Sequence, residues 1–239
     1  MILIYPERLS SVTADSESGS FPATNLEDDK PKKKWQSGGT NVATLTATVA
    51  GDSDQVELIN TNAISAVITV KLAGITQETF NIDLTSPHSH TRLWQTYTVQ
   101  AAVHTIEIQL TAAAGNAVYA GVLKIGKGVV VADPKYGVKE SRRDFSIVKE
   151  LNNGAYYIRQ RDSVREFSLS FTDDRATDFY NFTAVMDHYG PRPVAILMAE
   201  NVDSDPHEWA IFGHVLNPFS GSHDHLSHSS ISFTITEAV

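Results

Sequence analysis

The residues of this chain best suited to chemistry are its histidines and carboxylates, and they fall into a few short clusters. The densest is His223-Asp224-His225, with His228 three residues further on. Imidazole nitrogens and a carboxylate are zinc or nickel ligands, and residues two apart on a strand share one face, so His223 and His225 have the spacing to hold one ion together. Pro218, Gly221 and the neighbouring serines instead mark an exposed turn, where histidines need no ligand. The reading is a solvated loop without metal, a structural ion on an oligomer axis being the alternative. A second cluster, His88-Ser89-His90 after Pro87 with Asp83 and Ser86 nearby, has the residue types of a hydrolase. A serine nucleophile needs a base oriented by a third group in a defined pocket, and no Gly-x-Ser-x-Gly elbow accompanies the cluster. The carboxylates Asp173-Asp174 and Asp203, Asp205 and Glu208 suit acid–base work or calcium, but the first two open an expected helix and the others flank a turn at Pro206. Gly126-Lys127-Gly128 lacks the strand-to-helix frame of a phosphate loop. No enzyme and no cofactor is expected.

Three aromatic residues, Trp35, Trp94 and Tyr97, are the candidates for stacking on the apolar face of a sugar ring. Core packing competes for the same residues, because Trp94 and Tyr97 lie in a strand-like run. Nucleic acid is not an expected partner. Lys and Arg number 19 against 28 Asp and Glu, a formal charge of -9 that opposes a phosphate backbone. The basic run Lys30-Pro31-Lys32-Lys33-Lys34 follows Glu27-Asp28-Asp29 directly and reads as a solvated loop. There is no cysteine, which excludes disulfides and thiolate metal sites. Met1-Ile2-Leu3-Ile4-Tyr5-Pro6-Glu7-Arg8 is a short apolar burst without a basic preface, so no signal peptide and no membrane insertion are expected.

The elements that must position these residues are strands. With 239 residues, 41% of them hydrophobic, the chain can bury two small cores. From Thr40 to about Val131 apolar and polar residues alternate with a period near two. Runs at Val42–Val49, Gln55–Asn60, Val67–Leu72, Glu78–Leu84, Trp94–Val99 and Thr105–Leu110 have the lengths and spacing of a β-sandwich. Residues 133–153 change character, with a charged segment around Arg142 and Arg143, and read as a linker between a domain over 1–132 and a second over 154–239. In the second, Tyr156–Arg161 and Arg165–Phe171 are expected to pair as a hairpin through Asp162-Ser163. Residues Asp173 to Tyr189 are expected to form an amphipathic helix whose face is Ala176, Phe179, Phe182, Met186 and Tyr189, stopped by Gly190-Pro191. Val194–Met198, Trp209–Val215 and Ser230–Thr236 complete an α+β module with the helix on a sheet.

Two segments carry a resemblance. Ala23-Thr24-Asn25-Leu26 with Trp35-Gln36-Ser37 resembles the opening loop of galactose-binding-like (discoidin-type) jelly-rolls, and Tyr119-Ala120-Gly121-Val122-Leu123-Lys124-Ile125-Gly126 resembles the strand that closes such domains in phage tail and virion proteins. The last 85 or so residues, with Tyr189-Gly190-Pro191-Arg192-Pro193-Val194, Trp209-Ala210-Ile211-Phe212-Gly213 and Ser232-Phe233-Thr234-Ile235-Thr236-Glu237, are similar to small tail-assembly domains of tailed bacteriophages. The resemblance implies a non-enzymatic distal-tail or baseplate protein located in the virion and made in the host cytoplasm. It also implies a homo-oligomeric ring, trimer or hexamer, in contact with tube, hub and baseplate proteins. In discoidin-like domains the position of Trp35 is commonly buried beneath the opening loop. The alternative is a carbohydrate-binding adhesin whose jelly-roll contacts host surface glycans.

Overall fold

The structure, a computed structural model, describes residues 1–85, 91–134, 138–150, 155–161, 163–174, 178–198, 209–215, 220–222 and 228–238. Among these residues it is mainly β with one α-helix. In chain order the first strands are β1 (Ile2–Glu7) and β2 (Leu9–Ala14), followed by a 3-10 turn at Ala23–Glu27 and the short β3 (Trp35–Gln36). Next come β4 (Val42–Val49), β5 (Ser53–Ile59), β6 (Ala63–Leu72), β7 (Ile75–Asp83), β8 (Arg92–Gln100) and β9 (His104–Ala112). β10 (Tyr119–Ala120), β11 (Val122–Val130), β12 (Lys139–Asp144), β13 (Ile147–Glu150), β14 (Tyr156–Arg159) and β15 (Ser163–Asp174) precede the helix α1 (Asp178–Tyr189). β16 (Val194–Leu197), β17 (Ala210–Val215), β18 (Ser220–Ser222) and β19 (His228–Glu237) complete the chain.

The alternating segments build a sandwich. Strands β2, β4, β9, β6 and β7, in that order, form one antiparallel sheet. Its inward residues, among them Leu45, Ala47, Ile68, Val70, Ile106 and Ile108, pack against Val56, Leu58, Leu123 and Ile125 of a second, ten-stranded sheet. That second sheet runs β12-β15-β19-β17-β16-β1-β11-β5-β8, with β18 also on β19. Near its middle stand strands with consecutive apolar residues: Ile2-Leu3-Ile4 in β1 and Val194 to Leu197 in β16. An unbroken apolar run is what a strand buried on both faces requires. Leu3, Ile196 and Ile211 accordingly point into a core covered by α1, while Ile2, Ile4, Leu197 and Phe212 point into a separate core on the opposite face. β1 pairs with β11 on one side and with β16 on the other, so the first strand of the chain joins the sandwich to the C-terminal strands.

Two glycines of the Tyr119–Gly126 segment are there because the backbone comes close. A Cβ on Gly121 would lie 2.3 Å from the Pro31 carbonyl oxygen, and one on Gly126 would lie 2.4 Å from that of Pro6. The two ends of the jelly-roll do meet: Trp35 pairs with Ala120 and Gln36 with Tyr119.

The helix begins later than its pattern suggests. Residues 163–174 continue as β15, which pairs with β19 through Asp174 and His228, so Asp173-Asp174 end a strand and do not cap a helix. The reason lies in Phe167, Leu169 and Phe171, whose burial at every second residue commits the segment to the sheet face. Phe182, Val185 and Tyr189 are buried and Phe179 and Met186 pack partly against the same core; Val185 was absent from the expected face, and Ala176 lies outside the described residues. Gly190, at φ 55°, ends the helix with its N–H donating to the Met186 carbonyl at 2.8 Å. The expected hairpin through Asp162-Ser163 does not form. β14 pairs with β13 and β15 with β12, making one long ribbon whose reversal falls between Glu150 and Tyr156. Residues 139–150 supply the second arm.

Phe182 is fully buried with its ring centroid 5.4 Å from Phe171 and 5.1 Å from Phe233. Phe182→Asp is expected to cost on the order of 4 kcal/mol by leaving an unpaired carboxylate among these rings, whereas Phe179→Asp, half-buried, costs roughly half as much. Urea unfolding of the two variants measures the ratio, and equal small losses would show that the helix face is misassigned.

Candidate functional site

A serine, a histidine and a tyrosine meet inside the sandwich. Ser53 opens β5, Tyr97 lies in β8 and His104 opens β9, so three neighbouring strand ends bring them together. Ser53 Oγ lies 3.0 Å from His104 Nε2 and 2.5 Å from the Tyr97 hydroxyl. His104 Nδ1 is 2.9 Å from the Ala102 carbonyl, which can only accept, so Nδ1 carries the proton and Nε2 accepts from Ser53. The chain of donors therefore runs from the Tyr97 O–H to Ser53, from the Ser53 O–H to His104, and from the Nδ1–H to the backbone. Burial pushes the Tyr97 hydroxyl well above its ordinary range. Although this is a nucleophile beside a base, Ser53 and His104 are 0% and 2% exposed, and the histidine is held by a carbonyl instead of a carboxylate. No substrate can reach the pair, and its role is to satisfy three buried polar groups at once.

A second group of polar side chains lies where the large sheet curls and β8 comes against β17. Arg92 Nη1 donates to the Ala210 carbonyl at 2.8 Å, and Nη2 meets the Glu237 carboxylate at 2.5 Å. Arg165, from the far side, donates from Nη2 to the same carbonyl at 3.2 Å and lies 3.6 Å from the same carboxylate. Two arginines from separated strands thus converge on one carbonyl and one carboxylate, closing the seam. Deeper in the same face, Lys124 of β11 is held by Glu7 at 3.0 Å and by Asp29 at 2.5 Å. Its cross-strand partner is Glu57 of β5, which is 0% exposed and has both carboxylate oxygens without a hydrogen-bond partner among the described residues. Burial pushes the Glu57 carboxyl up to about 8, opposed by Arg92 and Lys124 and reinforced by Glu237. Beside the seam opens a cleft of about 280 Å³, lined by Pro31, Lys32, Asn60, Thr91, Arg92 and Glu237 among others.

The aromatic candidates are elsewhere. Trp35, Trp94 and Tyr97 are 0%, 3% and 4% exposed. Trp35 donates from Nε1 to the Ser16 carbonyl at 3.2 Å, and Trp94 from Nε1 to Gln55 Oε1 at 3.0 Å. Their faces are taken up by the cores, and none is presented to a sugar. In the basic run, Lys33 pairs with Asp28 at 3.0 Å and Lys34 sits over the Tyr119 ring at 3.9 Å. Asp83 caps the following turn by accepting from the Thr85 N–H and hydroxyl. His223 and His225 lie outside the described residues, as do Ser86, His88, Ser89, His90, Asp203, Asp205 and Glu208; His228 opens β19. Among the described residues no group of three or more His, Asp or Glu is placed to hold a metal ion, and no helix is long and apolar enough to cross a membrane. The Arg92, Glu237, Lys124 and Glu57 group has no short-range sequence signal, because its members are scattered over nearly the whole chain.

No protein-family model matches the chain, and no curated protein matches it. Among solved structures it is similar to chitosan-binding module 1 from a chitosanase/glucanase of Paenibacillus sp. IK-5, at 16% identity and a TM-score of 0.41 over 50% of this chain and 98% of that one. It is similar to the lectin domain of lectinolysin complexed with Lewis B antigen, at 13% identity and a TM-score of 0.41 over 50% of this chain and 93% of that one. It is also similar to XRCC1 bound to the DNA polymerase β catalytic domain, at 14% identity and a TM-score of 0.40 over 51% of this chain and 97% of that one.

Removing the Tyr97 hydroxyl leaves Ser53 with one buried partner fewer. Tyr97→Phe is expected to cost about 1–2 kcal/mol, and Ser53→Ala more, because it strands both the tyrosine donor and the histidine acceptor. Denaturant unfolding orders the two, and a Ser53→Ala variant as stable as the parent would contradict the donor chain.

Proposed function

We propose that this chain is a non-catalytic assembly protein of the kind found in bacteriophage tail tips, and that its long ribbon docks onto a neighbouring copy in a homo-oligomeric ring. The observation that carries the reading is the ribbon's surface. Val148, Tyr156, Tyr157 and Ile158 are 60%, 63%, 52% and 65% exposed. Val148 and Ile158 are directly opposed across the ladder, and Tyr156 lies two residues along on the same face. A two-stranded ribbon has little stability of its own in water, and apolar side chains displayed on one are matched to a surface that covers them. Its charge supports a copy of the same chain as that surface: Lys139, Arg142, Arg143, Lys149, Arg159 and Arg161 face only three acids over residues 139–161, in a protein whose formal charge is -9. Where β12 passes to β13 and β14 to β15, an open groove of about 610 Å³, lined by Asp144, Ser146, Val148, Ile158 and Arg161 among others, offers a seat for the partner.

A second reading, glycan binding by the jelly-roll, is favoured by the cleft beside Arg92, where Asn60, Thr91, Arg92 and Glu237 offer the mixed donors and acceptors that sugar hydroxyls take. Two of the similar solved proteins are, by name, a chitosan-binding module and a lectin domain with Lewis B antigen. A glycan array probed with the full chain tests it, and no signal across sugar classes would remove it.

For the assembly reading, the combined substitution Tyr156→Ser and Ile158→Ser is expected to reduce the oligomer to single chains in light scattering while leaving the melting temperature unchanged. An oligomer that survives the substitution, or a parent that is a single chain at all concentrations, would overturn it.

A further inference from the structure

Glu57 is the excess acid of the buried seam. Among the described residues the cations there are Arg92, Arg165 and Lys124, and each is already engaged by Glu237, Glu7 or Asp29. The fourth carboxylate, Glu57, is buried between Lys124 on β11 and the β8 residues Trp94 and Arg92. On its own strand its neighbour on the same face is Gln55, neutral and occupied by the Trp94 and Thr96 donors. β16 and β17 present Ala195, Leu197, Ala210 and Phe212 to this core, and His214, next in the same alternation of β17, is bonded through Nδ1 to the Pro191 carbonyl at 2.9 Å. From α1, Tyr189 reaches Glu7, not Glu57.

We propose that Glu57 is a proton-operated latch on the seam between the sandwich and the C-terminal strands. While it holds its proton, Arg92 is free to bind Glu237 and the Ala210 carbonyl. When the proton leaves to solvent, the carboxylate competes with Glu237 for Arg92 and with Glu7 and Asp29 for Lys124, and the contact of β8 with β17 and the end of β19 loosens. The direction follows from linkage. A carboxyl held at about 8 in the closed seam, against 4.5 in its ordinary state, favours closure fully below 4.5, and that preference is lost as pH rises from 4.5 to about 8. The latch is independent of what the ribbon binds.

Hydrogen exchange of the full chain, read at 92–96, 210–215 and 230–238, tests this against E57Q at matched pH, so that intrinsic exchange cancels. The ratio of parent to E57Q rates at these amides is expected to climb from pH 5 to pH 8, by at most about tenfold per pH unit, and then to level off. Glu237→Gln is expected to speed exchange at the seam at every pH and to keep the rise. The amides of β6 and β9, remote from the seam, are expected to hold a constant ratio. A flat ratio at the seam, or a rise of equal size in β6 and β9, would overturn the proposal. E57L, which removes the titrating group by a different side chain, is expected to hold a constant ratio to E57Q over the same pH range; a pH-dependent ratio would also overturn the proposal.

Discussion

The rest of the structure depends on the double pairing of β1. Ile2 and Leu3 bond across to Val130 and Val129 on one side and to Leu197 and Ile196 on the other, so a strand of six residues carries the ladder from the sandwich into the C-terminal strands. Because side chains alternate, the same strand also divides two cores: Leu3 faces the helix side and Ile2 and Ile4 face the other. Further contacts fix its far end. The Tyr189 hydroxyl donates to the Ile4 carbonyl at 2.8 Å and lies 3.2 Å from Glu7 Oε1, and Glu7 in turn holds Lys124 of β11.

The seam opposite β1 is closed by charge instead of a ladder. Arg92 and Arg165 spend their donors on one carbonyl and one carboxylate, an arrangement that fixes position more than it adds stability, since burying charges offsets much of their attraction. Held at β1 on one side and at this seam on the other, the large sheet gives the ribbon a stiff root. β12 is its outermost strand and pairs with β15 along six residues, from Lys139 with Ser168 to Asp144 with Ser163.

Much of this was legible in the sequence where one face of a strand meets water. The sandwich strands β4 to β9 appear in the alternation from Val42 to Leu110, and Gly190 marks the end of the helix. The two jelly-roll segments were visible by resemblance, but their pairing, Trp35 with Ala120, was not. What was not legible depends on contacts far apart in the chain. The N-terminal apolar burst gave no alternation because β1 is buried on both faces, and an unbroken run does not say which strands it joins. Trp94 and Tyr97 stood in a strand whose exposed face could not be told from its buried one. Asp173 and Asp174 carried a helix-cap signal, which the pairing of β15 with β19 overrode. Glu57, Arg92, Lys124 and Glu237 could be recognised as one group only after the sheet had curled.

The double pairing of β1 makes the sandwich and the C-terminal strands a single cooperative unit. Differential scanning calorimetry of the full chain at pH 5 tests it most directly. One transition is expected, with calorimetric and van't Hoff enthalpies that agree. Two separable transitions, or a calorimetric enthalpy about twice the van't Hoff value, would show that the halves unfold independently and would contradict it.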